Sequence, residues 1–295
     1  MRRQIIVAFL SLFWMLVGPA FGADRGALFK VTGNGHSMYL FGTMHVGQPG
    51  FYPLEPRIAA AVAGASTLAL EIDPLADQAD MARALQASGM ATPGASIDKL
   101  SPAFKHRLNK ALEKAGIEAS SVAHYKPWLV ATVLAIAEYA AQGYRSDLSV
   151  DAHLAHIAKA NKVPIISLET PSSQMGLFNR LSEPEQMLFL EESIAMIESG
   201  KQHAEVRQIG EAWRTADKRA LDAIALRAQS DTSISGKFVK AILLDERNIA
   251  LADKLAGLLQ RSDRSVAAIG VLHLIGSNSV PALMKARGLT VERVY

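Results

Sequence analysis

Apolar positions along this chain recur at two spacings, and each spacing predicts an element. Residues 27–31 and 37–41 are short apolar runs around Thr32-Gly33-Asn34-Gly35, the pattern of a β-hairpin. Runs at 66–70, 163–168, 265–269 and 289–294 predict further strands. Between them, apolar residues three and four apart predict helices over 56–64, 77–88, 102–115, 127–141 and 150–161. A second helical block from 183 to about 260 includes 204–215, 218–229 and one long helix over 237–259, and a last helix covers 280–287. Ser101 before Pro102 reads as an N-cap followed by proline in the first turn. Strands separated by helices predict an α/β fold, with mixed α+β as the alternative. One domain over 23–295 is expected, with helical insertions at about 76–162 and 183–260.

The first residues break this pattern. Arg2 and Arg3 precede an apolar stretch over 5–17, and Ala20-Phe21-Gly22 supplies small residues at cleavage spacing. The stretch is shorter than the ~20 residues a spanning helix needs. Residues 1–22 therefore read as a signal peptide, giving a periplasmic or secreted protein, with an uncleaved anchor as the alternative. The absence of cysteine excludes disulfides, thiolate ligands and a cysteine nucleophile. Removing Arg2 and Arg3 takes the formal charge from +3 to +1, which leaves no basic surface for nucleic acid. After cleavage no further apolar run is long enough for a stable membrane span.

Chemistry collects at the ends of the predicted strands. His45, Glu71, Glu169 and His273 each stand at or just past the C-terminal end of an apolar run. If those strands are parallel neighbours, the four side chains converge where open α/β sheets bind ligands. Both histidines lie in Gly-x-x-His, at Gly42 to His45 and at Gly270 to His273. Glycine there allows close backbone approach, and a histidine three residues on can bind metal or take a proton. Two imidazoles and two carboxylates suit a divalent ion. Taken singly, each has an ordinary reading as a hydrogen-bonded strand end. Asp151, His153 and His156 share a predicted helix, where a solvated face is the ordinary reading. Arg247-Asn248 after Asp245-Glu246 reads as surface pairing, and Trp128 as core. No Walker loop, nucleophile elbow, zincin motif or dinucleotide fingerprint is present.

Taken in order, these pieces resemble the TraB/GumN family. The resemblance begins at Leu40-Phe41-Gly42-Thr43-Met44-His45-Val46-Gly47 and continues through Leu70-Glu71-Ile72-Asp73, Lys126-Pro127-Trp128 and Val150-Asp151-Ala152-His153-Leu154. It then runs through Leu168-Glu169-Thr170 with Gln174, Glu246-Arg247-Asn248, and Gly270-Val271-Leu272-His273-Leu274 with Gly276. The family is similar to the Tiki metal-dependent proteases, and distantly to erythromycin-esterase-like and haem-binding ChaN-like proteins. The resemblance implies a metal site at His45, Glu71 and His273, and Arg247 as an oxyanion or carboxylate partner. It gives Glu169, Asp151 and Asn248 a place by motif position only. The chain departs from the pattern at Leu272, where a small residue often stands.

The expected function is a metal-dependent hydrolase, a peptidase acting on a peptide or other small exported substrate. A Mn, Co or Zn ion would be its cofactor, with Glu71 or Glu169 as the proton-transfer group. The alternatives are a non-catalytic protein that sequesters a peptide, haem or saccharide, and a metal-free, esterase-like hydrolase.

Overall fold

A computed structural model describes residues 23–91 and 100–295. The expected signal segment lies outside them. Strands β1 (Leu28–Gly33) and β2 (His36–Thr43) form the predicted hairpin, with Leu28 opposite Phe41 and Gly33 opposite His36. Its turn residues Asn34 and Gly35 both have positive φ, 54° and 79°, the geometry that matches strand twist and favours Asn-Gly. Strands β3 (Leu68–Leu70), β4 (Ile165–Ser167), β5 (Ser265–Gly270) and β6 (Thr290–Arg293) complete one sheet in the order β4-β3-β5-β2-β1-β6. β4, β3, β5 and β2 are mutually parallel, whereas β1 is antiparallel to both β2 and β6. The fold is mixed α/β, and the four chemically marked strands point the same way.

Helices α1 (Pro56–Ala63), α2 (Gln78–Gly89), α3 (Pro102–Lys114), α4 (Ala119–Val122), α5 (Pro127–Ala141) and α6 (Val150–Ala160) occupy the first helical block. Ser101 accepts the Phe104 N–H as the cap of α3, and Ser149 caps α6 through Ala152. α1 and α6 pack on each other, α1 also meeting β5 and α6 meeting β3 and β4. In the second block, α7 (Pro171–Gly176), α8 (Glu183–Glu198), α9 (Lys201–Arg214), α10 (Lys218–Ser230) and α11 (Ile234–Phe238) lead into α12 (Arg247–Arg261), and α13 (Val280–Ala286) follows β5. α12 packs on α13 and against β1, β2 and β5. The two blocks also meet each other: Leu108, Leu112, Val130, Leu134, Leu190 and Ile194 of α3, α5 and α8 form a second apolar core away from the sheet. Among the described residues no helix is long and apolar enough to cross a membrane.

Two differences from the sequence pattern bear on the site. The helix expected over 237–259 is present within one unbroken helical run, but Val239–Glu246 winds as a π-helix between α11 and α12. A π-turn takes one more residue than an α-turn, and the apolar run through 238–244 suits either. The short helix α7 was absent from the pattern. A capping box creates it: Thr170 Oγ1 accepts the Ser173 N–H while Ser173 Oγ accepts the Thr170 N–H.

Candidate active site

Across the sheet edge, the order β2, β5, β3, β4 becomes His45, His273, Glu71, Glu169. His45 follows β2 on a loop fastened to the start of α6: Met44 accepts the Val150 N–H at 3.0 Å, and Gly47 and Arg145 exchange two backbone bonds of 2.9 and 2.8 Å. Gly47 is required there, since a Cβ would lie 1.9 Å from the Leu148 carbonyl oxygen. This docking brings Asp151, the second residue of α6, beneath the imidazole. Asp151 Oδ2 is 3.0 Å from His45 Nδ1, and Oδ1 accepts the Thr43 hydroxyl at 2.8 Å. Asp151 is buried, not part of a solvated face. His153 packs on the Tyr52 ring at 4.4 Å, and His156 is exposed; neither joins the site.

His273 lies in the 3₁₀ turn Val271–Leu274 after β5 and is 4% exposed. Its Nδ1 is 2.6 Å from Oδ1 of the buried Asn248, whose Nδ2 donates to the Asn278 carbonyl at 2.8 Å. The second bond fixes the amide so that Oδ1 faces the ring, and His273 must then donate from Nδ1. His45 is oriented in the same manner by Asp151. Both rings therefore turn Nε2 inward, and each Nε2 is 3.9 Å from the same atom, Glu71 Oε1.

Glu71, immediately after β3, is 3% exposed and hydrogen-bonded through both oxygens. Oε1 accepts the Gly270 N–H at 2.6 Å, and Oε2 accepts from Arg247 at 2.5 Å and Gln174 at 3.1 Å. A Cβ on Gly270 would come within 3.2 Å of Glu71 Oε1 and 3.6 Å of His45 Nε2, so glycine keeps that space open. Gly42 instead makes room for the second turn, because a Cβ there would meet the Val271 side chain at 2.9 Å. Glu169 accepts Arg247 Nε at 3.0 Å and Nη2 at 2.6 Å, with Gln174 at 2.9 Å. Arg247 Nη1 also donates to Leu243, so four of five guanidinium donors are used.

The surface pairing expected of residues 245–248 is thus corrected. Glu246 pairs with the exposed Arg180, Asp245 with Lys240, and Arg247 and Asn248 turn inward. Trp128 is core, as expected, stacked on Phe178 at 4.3 Å. Gln174 stood in the sequence only as part of the family pattern, and it needed α7 to reach both glutamates. Leu272 does not intrude between the histidines: its side chain lines a neighbouring cleft.

The electrostatics divide these groups. Burial opposes ionisation of Glu71, but His45, His273, Arg247 and the Gly270 N–H outweigh it and hold its pKa at about 2. Glu169 is likewise held low, burial being overcome by Arg247 and Gln174. Burial pushes His273 down to about 4 against the pull of Glu71. For His45, burial is outweighed by Asp151 and then Glu71, and the pKa rises to about 9. That ring has protein mass beneath it and water above it: its side chain is 64% exposed, so solvent screens part of the effect.

Among the described residues no group of three or more His, Asp or Glu side chains is arranged to hold a metal ion as it stands. The donor chemistry nevertheless fits one. Glu71 and Glu169 share the one Arg247 guanidinium, and Asp151 lies under His45, so the site has three carboxylates to one guanidinium before the histidines are counted. Both imidazoles are held from Nδ1 by an oxygen acceptor, the arrangement that prepares Nε2 as a ligand.

The chain is 23% identical to the uncharacterized protein YbaP of Shigella flexneri over 256 residues, covering 86% of this chain and 89% of the relative. YbaP of Escherichia coli (strain K12) matches with the same identity and coverage. No solved structure matches the chain. The model of the TraB/PrgY/gumN family matches residues 27–293, spanning every one of these site residues, and the chain belongs to that family.

Proposed function

We propose that this chain is an exported, metal-dependent hydrolase, a peptidase acting on a peptide or other small substrate outside the cytoplasmic membrane. One observation carries the reading: two imidazole Nε2 atoms, each with its Nδ1 occupied, face a single ionised carboxylate oxygen. His45 and His273 would hold a Mn, Co or Zn ion together with Glu71 Oε1. When bound, the ion acidifies water and polarises a substrate carbonyl.

The chain's own residues prepare the rest. Asp151 and Asn248 fix the two rings. Arg247, clamped by Glu169, holds Glu71 ionised and immobile, and Gln174 bridges the two carboxylates. Glu71 Oε1 accepts one backbone N–H and keeps its remaining lone pair on the histidine side, where it would serve the ion as a ligand. Glu169 has both oxygens on Arg247 and Gln174 and serves as a positioning residue. Arg247 is engaged by both glutamates, and its contribution is to their charge more than to an oxyanion. Substrate approaches over His45, the open wall, since His273 is buried. Export rests on the reading of residues 1–22.

A second reading has its own support. Without an ion, the opposed shifts leave His45 protonated and His273 neutral at pH 7, an acid and a base in one site. The deciding experiment measures Mn²⁺, Co²⁺ and Zn²⁺ content and affinity for the mature protein beside a His45→Ala/His273→Ala variant. Near-stoichiometric binding lost in the variant supports the metal hydrolase. A folded protein that binds none of the three, yet hydrolyses peptides after exhaustive chelation, supports the metal-free site instead.

A further inference from the structure

A cleft of about 270 Å³ opens between α10, the π-helical segment and the turn after His273, and the hydrolase reading gives it no role. Its shape follows from the π-turn. Lys240 and Asp245, five residues apart, form an ion pair at 2.6 Å, a spacing at which α-helical side chains diverge. The wider turn therefore puts Lys240, Leu244 and Asp245 together on the cleft side. Facing them are Ala228 and Gln229 of α10, with Leu272 and Ser277.

The lining specifies a ligand chemistry. Ala228, Leu244 and Leu272 supply apolar contact, and Gln229, whose Nε2 donates to Ser277 Oγ at 3.2 Å, leaves its amide oxygen and the Ser277 hydroxyl hydrogen as a hydrogen-bonding edge. Lys240 and Asp245 neutralise each other, so a charged guest would lose hydration without a free counter-charge. The volume falls just below the ~300 Å³ where pockets for drug-sized ligands begin, and suits a single side chain or small molecule. Asn248 belongs to the cleft wall and also holds His273 Nδ1, so one side chain joins the cleft to the site.

We propose that this cleft binds an uncharged aliphatic group bearing an amide or hydroxyl edge, coupled to His273 through Asn248. The group comes either from the substrate itself or from a free small molecule. The substrate source rests on the hydrolase reading; binding in the cleft does not.

The test titrates N-acetyl-leucinamide, N-acetyl-lysinamide and the α-amide of N-acetyl-aspartate into the full mature protein, following the methyl signals of Ala228 and Leu272 and the ring signals of His273 by NMR. The leucine probe should shift all three residues, and the charged probes should bind at least about tenfold more weakly. Ala228→Trp should abolish the shifts of Leu272 and His273 with the remaining spectrum unchanged. Leu272→Ala, which enlarges the cleft, should admit N-acetyl-phenylalaninamide about tenfold better than wild type. Equal binding of charged and aliphatic probes, or binding undisturbed by both variants, overturns the proposal. If hydrolysis is found, competitive inhibition by the leucine probe assigns the cleft to substrate, and non-competitive inhibition assigns it to a separate ligand. Probe binding in a protein that hydrolyses nothing keeps the cleft and removes the hydrolase reading alone.

Discussion

Asn248 Oδ1 lies 2.6 Å from His273 Nδ1, and this one bond sets which nitrogen of the buried ring faces Glu71. Because Asn248 Nδ2 is taken by the Asn278 carbonyl, the amide cannot flip without stranding a donor against His273. Asn248→Ala should release the tautomer and leave a buried N–H without a partner, costing about 1–3 kcal/mol. Imidazole ¹⁵N shifts should show Nδ1–H in wild type and a mixture in the variant. A single unchanged tautomer in Asn248→Ala would mean that another group orients the ring.

Asp151 plays the same part for His45. Outer partners of metal-binding histidines are worth about 10–100-fold in metal affinity. Asp151→Asn should weaken divalent-ion binding by that factor, and calorimetric titration with Zn²⁺ would measure it. Equal affinity in wild type and variant would detach Asp151 from ion binding.

Arg247 is the guanidinium shared by the buried Glu71 and the part-buried Glu169. Arg247→Met should cost about 3–5 kcal/mol, the typical result of stranding one side of a buried pair. Adding Glu169→Gln should restore part of that loss, because one stranded charge is then removed. Urea unfolding of the single and double variants checks both statements, and strict additivity would show that the network is not coupled.

The pH dependence follows from three shifts. Glu71 titrates at about 2 when folded, below the ~4.3 of an unfolded glutamate, so the unfolded chain binds the proton first. Its stabilisation is complete above about 4.3 and is lost as pH falls towards 2. His273 acts in the same direction, its buried neutral ring losing stability as pH falls from about 6.5 to about 4. His45 acts oppositely: its contribution is present below about 6.5 and fades as pH rises through about 9, reduced by solvent screening. Ion-free protein should therefore show a charged His45 and a neutral His273 at pH 7 by ¹H–¹³C NMR titration. Glu71→Gln should also flatten the fall in urea midpoint below about pH 4.3. Two histidines titrating together near 6.5 would contradict the assigned environments.

Trp213 supports the first Gly-x-x-His turn from behind. Its Nε1 donates to the Gly42 carbonyl at 2.8 Å while its ring lies 4.5 Å from that of Phe51. Trp213→Phe keeps an aromatic body but leaves that carbonyl short of a donor, at a cost of about 1–3 kcal/mol. A urea midpoint equal to wild type would show that the bond is replaced.

The sequence by itself determined where the elements lie and which positions are chemical. Alternation and helical spacing are local consequences of which face is buried, so the Asn34-Gly35 hairpin, the Ser101 cap and the strand-end residues His45, Glu71, Glu169 and His273 could be read directly. The π-turn could not, because its apolar spacing also fits an α-helix, and α7 was hidden in a short capping box. Only the tertiary structure decided the partners. The strand order seats β5 between β2 and β3, which carries His273 next to both His45 and Glu71 from more than 200 positions away. It also separated the two glutamates: Glu71 turns one oxygen to the histidines, while Glu169 spends both oxygens on Arg247 and Gln174. Those distinctions depend on distances between residues remote in the chain, which no local pattern of apolar and polar positions encodes.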